Sequence, residues 1–178
     1  MPIEVTSTRR AQQQAGLLDR AHARAFTAFV DDLARNGCAA LGYRLTGPVP
    51  ISRMCVKHLR GALRVVVAFE SPRRACILLV GPHDDSDPNR DVYAELYELL
   101  DATPAEVTGR NKPPCCGEDG GPPPGLGDDL ADLIIATAKQ RRRSPSRRKL
   151  PTEPATVAAL GGTLKLIADF GDEQLKIA

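Results

Sequence analysis

The chain has 178 residues, enough for one core of ordinary domain size with appendages and too few for two large domains. Neither of its two strongly apolar stretches approaches the roughly 20 residues of a membrane span, and the N-terminus has no basic-then-apolar signal pattern, so a soluble cytoplasmic protein without membrane association is expected. The net charge of +2 hides one asymmetry: Lys139, Arg141, Arg142, Arg143, Arg147, Arg148 and Lys149 crowd together, a run that either attracts phosphates or is a solvated linker.

In chain order, Ile3 to Thr6 alternates like a short strand. From about Thr8 the pattern turns helical, with Leu18, Ala25, Phe29 and Leu33 on one face and Arg20, Arg24, Thr27, Asp31 and Arg35 on the other. Gly16 marks a bend, and Asn36-Gly37 or Gly42 offers a stop. Residues 43 to 53 read as a loop with a strand start, because Gly47, Pro48 and Pro50 suit neither a central strand nor a helix interior.

Period-two alternation then begins at Met54, and Arg60-Gly61 turns the chain into a strand from Leu63 to Phe69. Ser71-Pro72-Arg73-Arg74 makes the next turn, and Ala75 to Val80 is an apolar run of strand length. Three strands on short connections favour an antiparallel meander, since a parallel pair needs a long crossover. A polar loop with His83, Asp84, Asp85 and Asp87 leads to a helix near Asp91, striped by Val92, Leu96 and Leu99, with Tyr93 and Tyr97 one turn apart and Pro104 at its end.

Residues 102–127 are rich in proline and glycine, which opposes helix and ladder alike, so a linker is expected. Asp128 and Asp129 can cap a helix through Leu130, Leu133, Ile134 and Ala138, and a second, basic linker follows. The last residues read as a short helix, a Gly161-Gly162 break and a β-hairpin turning at Gly171-Asp172. An isolated hairpin is marginal in water and should dock on something. Five cysteines, an odd number without paired C-x-x-C spacing, argue against a disulfide framework. Cys55 and Cys76 fall in apolar strand patterns and suit a reduced core role, and the Cys115-Cys116 pair lacks the further ligands a zinc site needs, so no metal is expected.

The order strand, helices, three antiparallel strands, helix, together with VKHLRGALRVVVAFE, ACILLVGPH and DVY, resembles the RelE/ParE-type toxins over about Tyr43 to Leu100. The resemblance implies an α+β fold: a small antiparallel sheet of three to four strands packed on N-terminal helices and a closing helix. In the RelE branch it implies a translation-associated endoribonuclease that cuts messenger RNA by turning the ribose 2′-hydroxyl onto the adjacent phosphate, with mRNA, the ribosome and a cognate antitoxin as partners and no cofactor. The alternative is a non-catalytic binding module, such as a ParE-like topoisomerase inhibitor or an inactive toxin-like protein held by a fused antitoxin remnant.

By the same resemblance Arg64 stands where the family keeps an arginine near the scissile phosphate, and a guanidinium can donate in a planar fork to phosphate oxygens. His58 and His83 are the candidates for proton transfer and Tyr93 for positioning the nucleotide. Lys57, Arg60 and Arg53 are the candidates for RNA contact. Adjacent strand residues face opposite sides, so only one of Lys57 and His58 can share a face with Arg64. The acidic loop after His83 is expected to repel RNA.

The segment AALGGTLKLIADFGD resembles the tail of HigA/Xre-type antitoxins. The expected organisation is a toxin-like domain over 1–101, a linker over 102–127, a helix over 128–143, a basic linker over 144–154 and an antitoxin-like tail over 155–178. The tail would dock on the sheet or pair two chains as a homodimer.

Overall fold

A computed structural model describes residues 2–102, 112–132 and 135. Its elements are β1 (Glu4–Ser7), α1 (Arg9–Gly16), α2 (Arg20–Asn36), β2 (Tyr43–Arg44), β3 (Met54–His58), β4 (Leu63–Ser71), β5 (Arg74–Pro82) and α3 (Val92–Leu99), with short 3-10 turns at Gly37–Ala40 and Ile51–Arg53. The strands form one sheet in the order β1-β5-β4-β3-β2. The meander β2 to β5 is antiparallel, and β1 joins its β5 edge in parallel, Val5 opposite Ala75. The fold is α+β, with one strand more than the upper end of the sequence expectation.

Local chemistry sets each boundary. Thr8 starts α1: its hydroxyl accepts from Ala11 N at 3.0 Å and donates to Leu78 O at 2.7 Å. Asp19 caps α2 by accepting from Ala21 N and His22 N, and Gly37, at φ 58°, ends it in a conformation that glycine adopts without cost. Gly61, also at φ 58°, makes the β3–β4 turn.

The sheet is covered on both faces, which is why β4 and β5 read as nearly unbroken apolar runs rather than alternating ones. Ala11, Phe29 and Leu33 from α1 and α2 pack on Cys55, Val65, Val67, Phe69 and Ile77. Val92 and Leu96 from α3 pack on the opposite face, against Met54, Val56, Val66, Ala68 and Leu79. Phe69, Leu33, Met54, Ile77 and Leu79 are all sealed from solvent. The β4–β5 register shifts between Val66, opposite Leu79, and Val67, opposite Ile77, so Leu78 is an extra residue. Its carbonyl is the one that takes the Thr8 hydroxyl.

Two expectations are corrected by the cysteines and the segment after α3. Cys38 is bonded to Cys116 and Cys55 to Cys115, at sequence separations of 78 and 60. Cys55 is therefore a cross-link in the core, not a reduced hydrophobe, and the odd cysteine is Cys76, free and buried. Spacing rules look for near neighbours; here adjacent cysteines reach two different elements far back in the chain. Residues 112–127 are irregular, as their composition dictates, yet they are anchored rather than a free tether. Arg44 N donates to Pro113 O at 2.8 Å, Leu126 N to Phe69 O at 2.9 Å and the Arg53 guanidinium to Gly125 O at 3.2 Å, while Leu126 and Leu130 are buried. Residues 128–132 are helical; the rest of that expected helix apart from residue 135, the basic run and the antitoxin-like tail lie outside the described residues. Among the described residues no helix is long and apolar enough to cross a membrane, and no three potential metal ligands cluster.

Candidate nucleic-acid site

The β3–β4 pairing sets His58 directly opposite Arg64. Counting in twos from the buried residues of that sheet face, both side chains lie on the side that α3 covers further along. Lys57 pairs with Val65 on the other side, where its ammonium donates to Ala40 O. The sequence leaves this choice open; the register makes it.

The α3 side of the sheet carries a hollow of about 230 Å3, open to solvent, at the end where β3 and β4 turn. Its lining includes all four side chains expected for catalysis: His58, Arg64, His83 and Tyr93. Tyr43, Arg44, Thr46, Tyr97 and Lys112 complete the polar wall. Arg53, Lys57 and Arg60 do not line it. Arg53 is turned to Gly125, Lys57 is on the helix side, and Arg60 is exposed in the turn.

Several contacts hold these groups in place. Gly61 O accepts from His58 Nε2 at 2.8 Å and from Arg64 Nη1 at 3.2 Å, so one turn carbonyl orients both side chains. His83 follows β5, its backbone N donating to Ala62 O at 2.9 Å. Its Nδ1 lies 2.6 Å from Asp91 Oδ2 and its ring meets Tyr93 edge-on, with centroids 4.9 Å apart at 81°. Asp91 is 8% exposed and also caps α3, accepting from Tyr93 N, Ala94 N and Asp84 N. Burial opposes its charge, but the His83 contact and the three backbone donors outweigh that and hold its carboxyl below the usual range. An ionised Asp91 can only accept, so His83 donates from Nδ1 and Nε2 is the nitrogen left for another partner. Asp85 Oδ1 lies 3.5 Å from that Nε2 on a largely exposed side chain.

The Tyr93 and Tyr43 hydroxyls are 2.5 Å apart. Burial first, and then the bond to Tyr43, push the Tyr93 phenol far above its ordinary value; burial and the nearby Asp91 raise Tyr97 as well. Tyr93 is thus a neutral hydroxyl at physiological pH, suited to hydrogen bonding and ring contact rather than to taking a proton.

Among the described residues no carboxylate lines the hollow, whereas Arg44, Arg64 and Lys112 carry permanent positive charge into it. The acidic loop that the sequence sets against RNA binding is consequently not part of its wall. Cations, imidazoles and half-buried phenol rings around one open hollow are the chemistry that a phosphate and a base require. Sequence reasoning missed Arg44, Lys112 and Tyr43. Tyr43 and Arg44 belong to a two-residue strand among prolines, and Lys112 sits beside them on a segment bonded back to the body through Cys115 and Cys116 and paired with β2. Tyr97 was signalled by its spacing from Tyr93.

No known family model matches the chain, and no curated protein matches it. Among solved structures, a chain of the RelBE2 toxin–antitoxin complex from Mycobacterium tuberculosis is similar, with 22% identity and a TM-score of 0.38, over 45% of this chain and 96% of that one.

Proposed function

We propose that the chain is a RelE/ParE-type toxin that holds single-stranded messenger RNA in this hollow and cleaves it by attack of a ribose 2′-hydroxyl on the adjacent phosphate. The observation that carries the reading is convergence: His58, Arg64, His83 and Tyr93, chosen from three separate stretches of sequence, line one hollow, and no carboxylate is among its described lining residues. Arg64 offsets charge developing on the phosphoryl oxygens. His83, with its Nδ1 proton held by Asp91, takes the 2′-hydroxyl proton at Nε2, and His58 supplies a proton to the departing 5′-oxygen. Tyr93 fixes the nucleotide, and the scheme calls on no metal or cofactor. Messenger RNA on the ribosome, a cognate antitoxin and a cytoplasmic site of action belong to the same proposal.

The test is induced expression followed by mapping of transcript ends. Codon-phased cuts are expected from the parent chain, and their loss from Arg64→Ala and His83→Ala; cuts that persist in both variants remove these residues from the mechanism. One observation favours a second reading, a non-catalytic binding module: Arg64 and His58 already share the Gly61 carbonyl, and His83 already has a carboxylate. Transcripts left intact by a toxic parent chain would select that reading.

A further inference from the structure

One wall of the hollow comes from outside the sheet-and-helix framework. Residues 112–114 run beside β2, where Arg44 N donates to Pro113 O and Tyr43 forms an antiparallel bridge with Pro114. Lys112 Nζ lies 5.1 Å from the centroid of the Tyr43 ring, and both side chains face the hollow. β2 is only two residues long, so the backbone has little with which to hold this wall. Covalent bonds add to it. Cys115 is joined to Cys55 on β3, and its neighbour Cys116 to Cys38 in the turn after α2, so adjacent residues are fixed to two different elements of the fold.

We propose that the two disulfides clamp residues 112–116 as a wall of the hollow, and that Lys112 and Arg44 on this side bind a second phosphate of the same RNA strand, beside the one that Arg64 meets. The inference rests on the RNA-binding reading above and adds residues and a condition to it. A lysine acts as a point charge and suits a phosphate that is positioned rather than cleaved, whereas the planar fork of Arg64 suits the reacting one. Tyr43 carries the Lys112 ammonium on its ring face, which holds the charge at the rim without neutralising it. Disulfides are uncommon in reducing compartments, so the clamp also makes this part of the site responsive to thiols. In the reduction each S–S bond takes two electrons and two protons to give two thiols, while one molecule of a dithiol reagent closes to its cyclic disulfide; both bridges consume two such molecules.

The experiment measures binding of a fluorescent, uncleavable 2′-O-methyl dodecamer to the full chain by anisotropy across a salt series. Oxidised parent chain, oxidised Lys112→Ala, oxidised Arg64→Ala and dithiothreitol-treated parent chain are compared. Lys112→Ala should weaken binding about three- to tenfold and flatten the log–log salt dependence by about 0.7, the share of one phosphate contact on a single strand. Reduction should weaken the parent chain at least as much, and should cost the Lys112→Ala variant less than it costs the parent. Unchanged affinity and salt dependence in Lys112→Ala overturn the proposal whether or not the reduced chain keeps its fold. Should Arg64→Ala weaken binding while Lys112→Ala and reduction do not, RNA binding stands and this inference fails. An oxidised parent chain that does not bind the oligonucleotide removes both.

Discussion

Replacing Arg64 with alanine should change how RNA affinity depends on salt by a calculable amount. Among the described residues three permanent cations line the hollow, Arg44, Arg64 and Lys112. At about 0.7 released counterions per phosphate contact on a single strand, three contacts give a slope of about −2 in log K against log salt. Affinity should therefore fall roughly 20-fold between 50 and 200 mM salt in the parent chain. With Arg64 gone the slope should be about −1.4 and the loss over the same range only about sevenfold. Cleavage should suffer more than binding, by about a hundredfold or more, because in the proposed reaction the guanidinium would meet charge that develops in the transition state. Anisotropy titrations at several salt concentrations, with an oligonucleotide that cannot be cut, give the slope. A variant whose slope equals that of the parent would show that Arg64 meets no phosphate.

Three further perturbations follow from the geometry. Asp91→Ala removes the acceptor for His83 and for three backbone donors and should cost about 2–3 kcal/mol in denaturant unfolding. Because the native carboxyl of Asp91 is held below its unfolded value of about 3.9, this stabilisation is complete above that pH and lost as pH falls through the lower native value; the variant and parent should converge in stability in strong acid, and a constant gap would refute the account. Burial pushes the Cys76 thiol up to about 11, so iodoacetamide at pH 8 should label it only after unfolding, as mass spectrometry would show. At Gly125 an added Cβ would lie 2.4 Å from Glu70 O; Gly125→Ala should therefore cost about 1–3 kcal/mol, and an unchanged melting temperature would mean that this segment is not docked on the β4–β5 turn.

What was legible in the sequence was what depends on period and on local chemistry. Met54 to Val80 reads as strands because both faces of the sheet want apolar residues, and Arg60-Gly61 reads as a turn because Gly61 takes a left-handed backbone. The parity rule was enough to say that His58 and Lys57 part company, and only the register with Arg64 and Val65 could say which one joins the arginine. The bulge at Leu78 left no mark, since an extra leucine in an apolar run keeps the run apolar. Tyr43–Arg44 was too short to show a period, and β1 pairs in parallel with a strand some 70 residues away, a contact that only tertiary packing reveals. The disulfides were hidden for the same reason. They tie down a stretch whose proline and glycine content reads as a tether, and Lys112 at its start lines the hollow.

The chemistry of the RNA ends is the most direct measure of the central claim. A labelled messenger in a translating extract, treated with the oxidised chain, should yield fragments ending in a 2′,3′-cyclic phosphate, and a single 2′-deoxy substitution at a cut position should spare that bond. Fragments with free 3′-hydroxyl ends, cutting at the deoxy position, or no fragments at all would contradict attack by the ribose hydroxyl in this hollow.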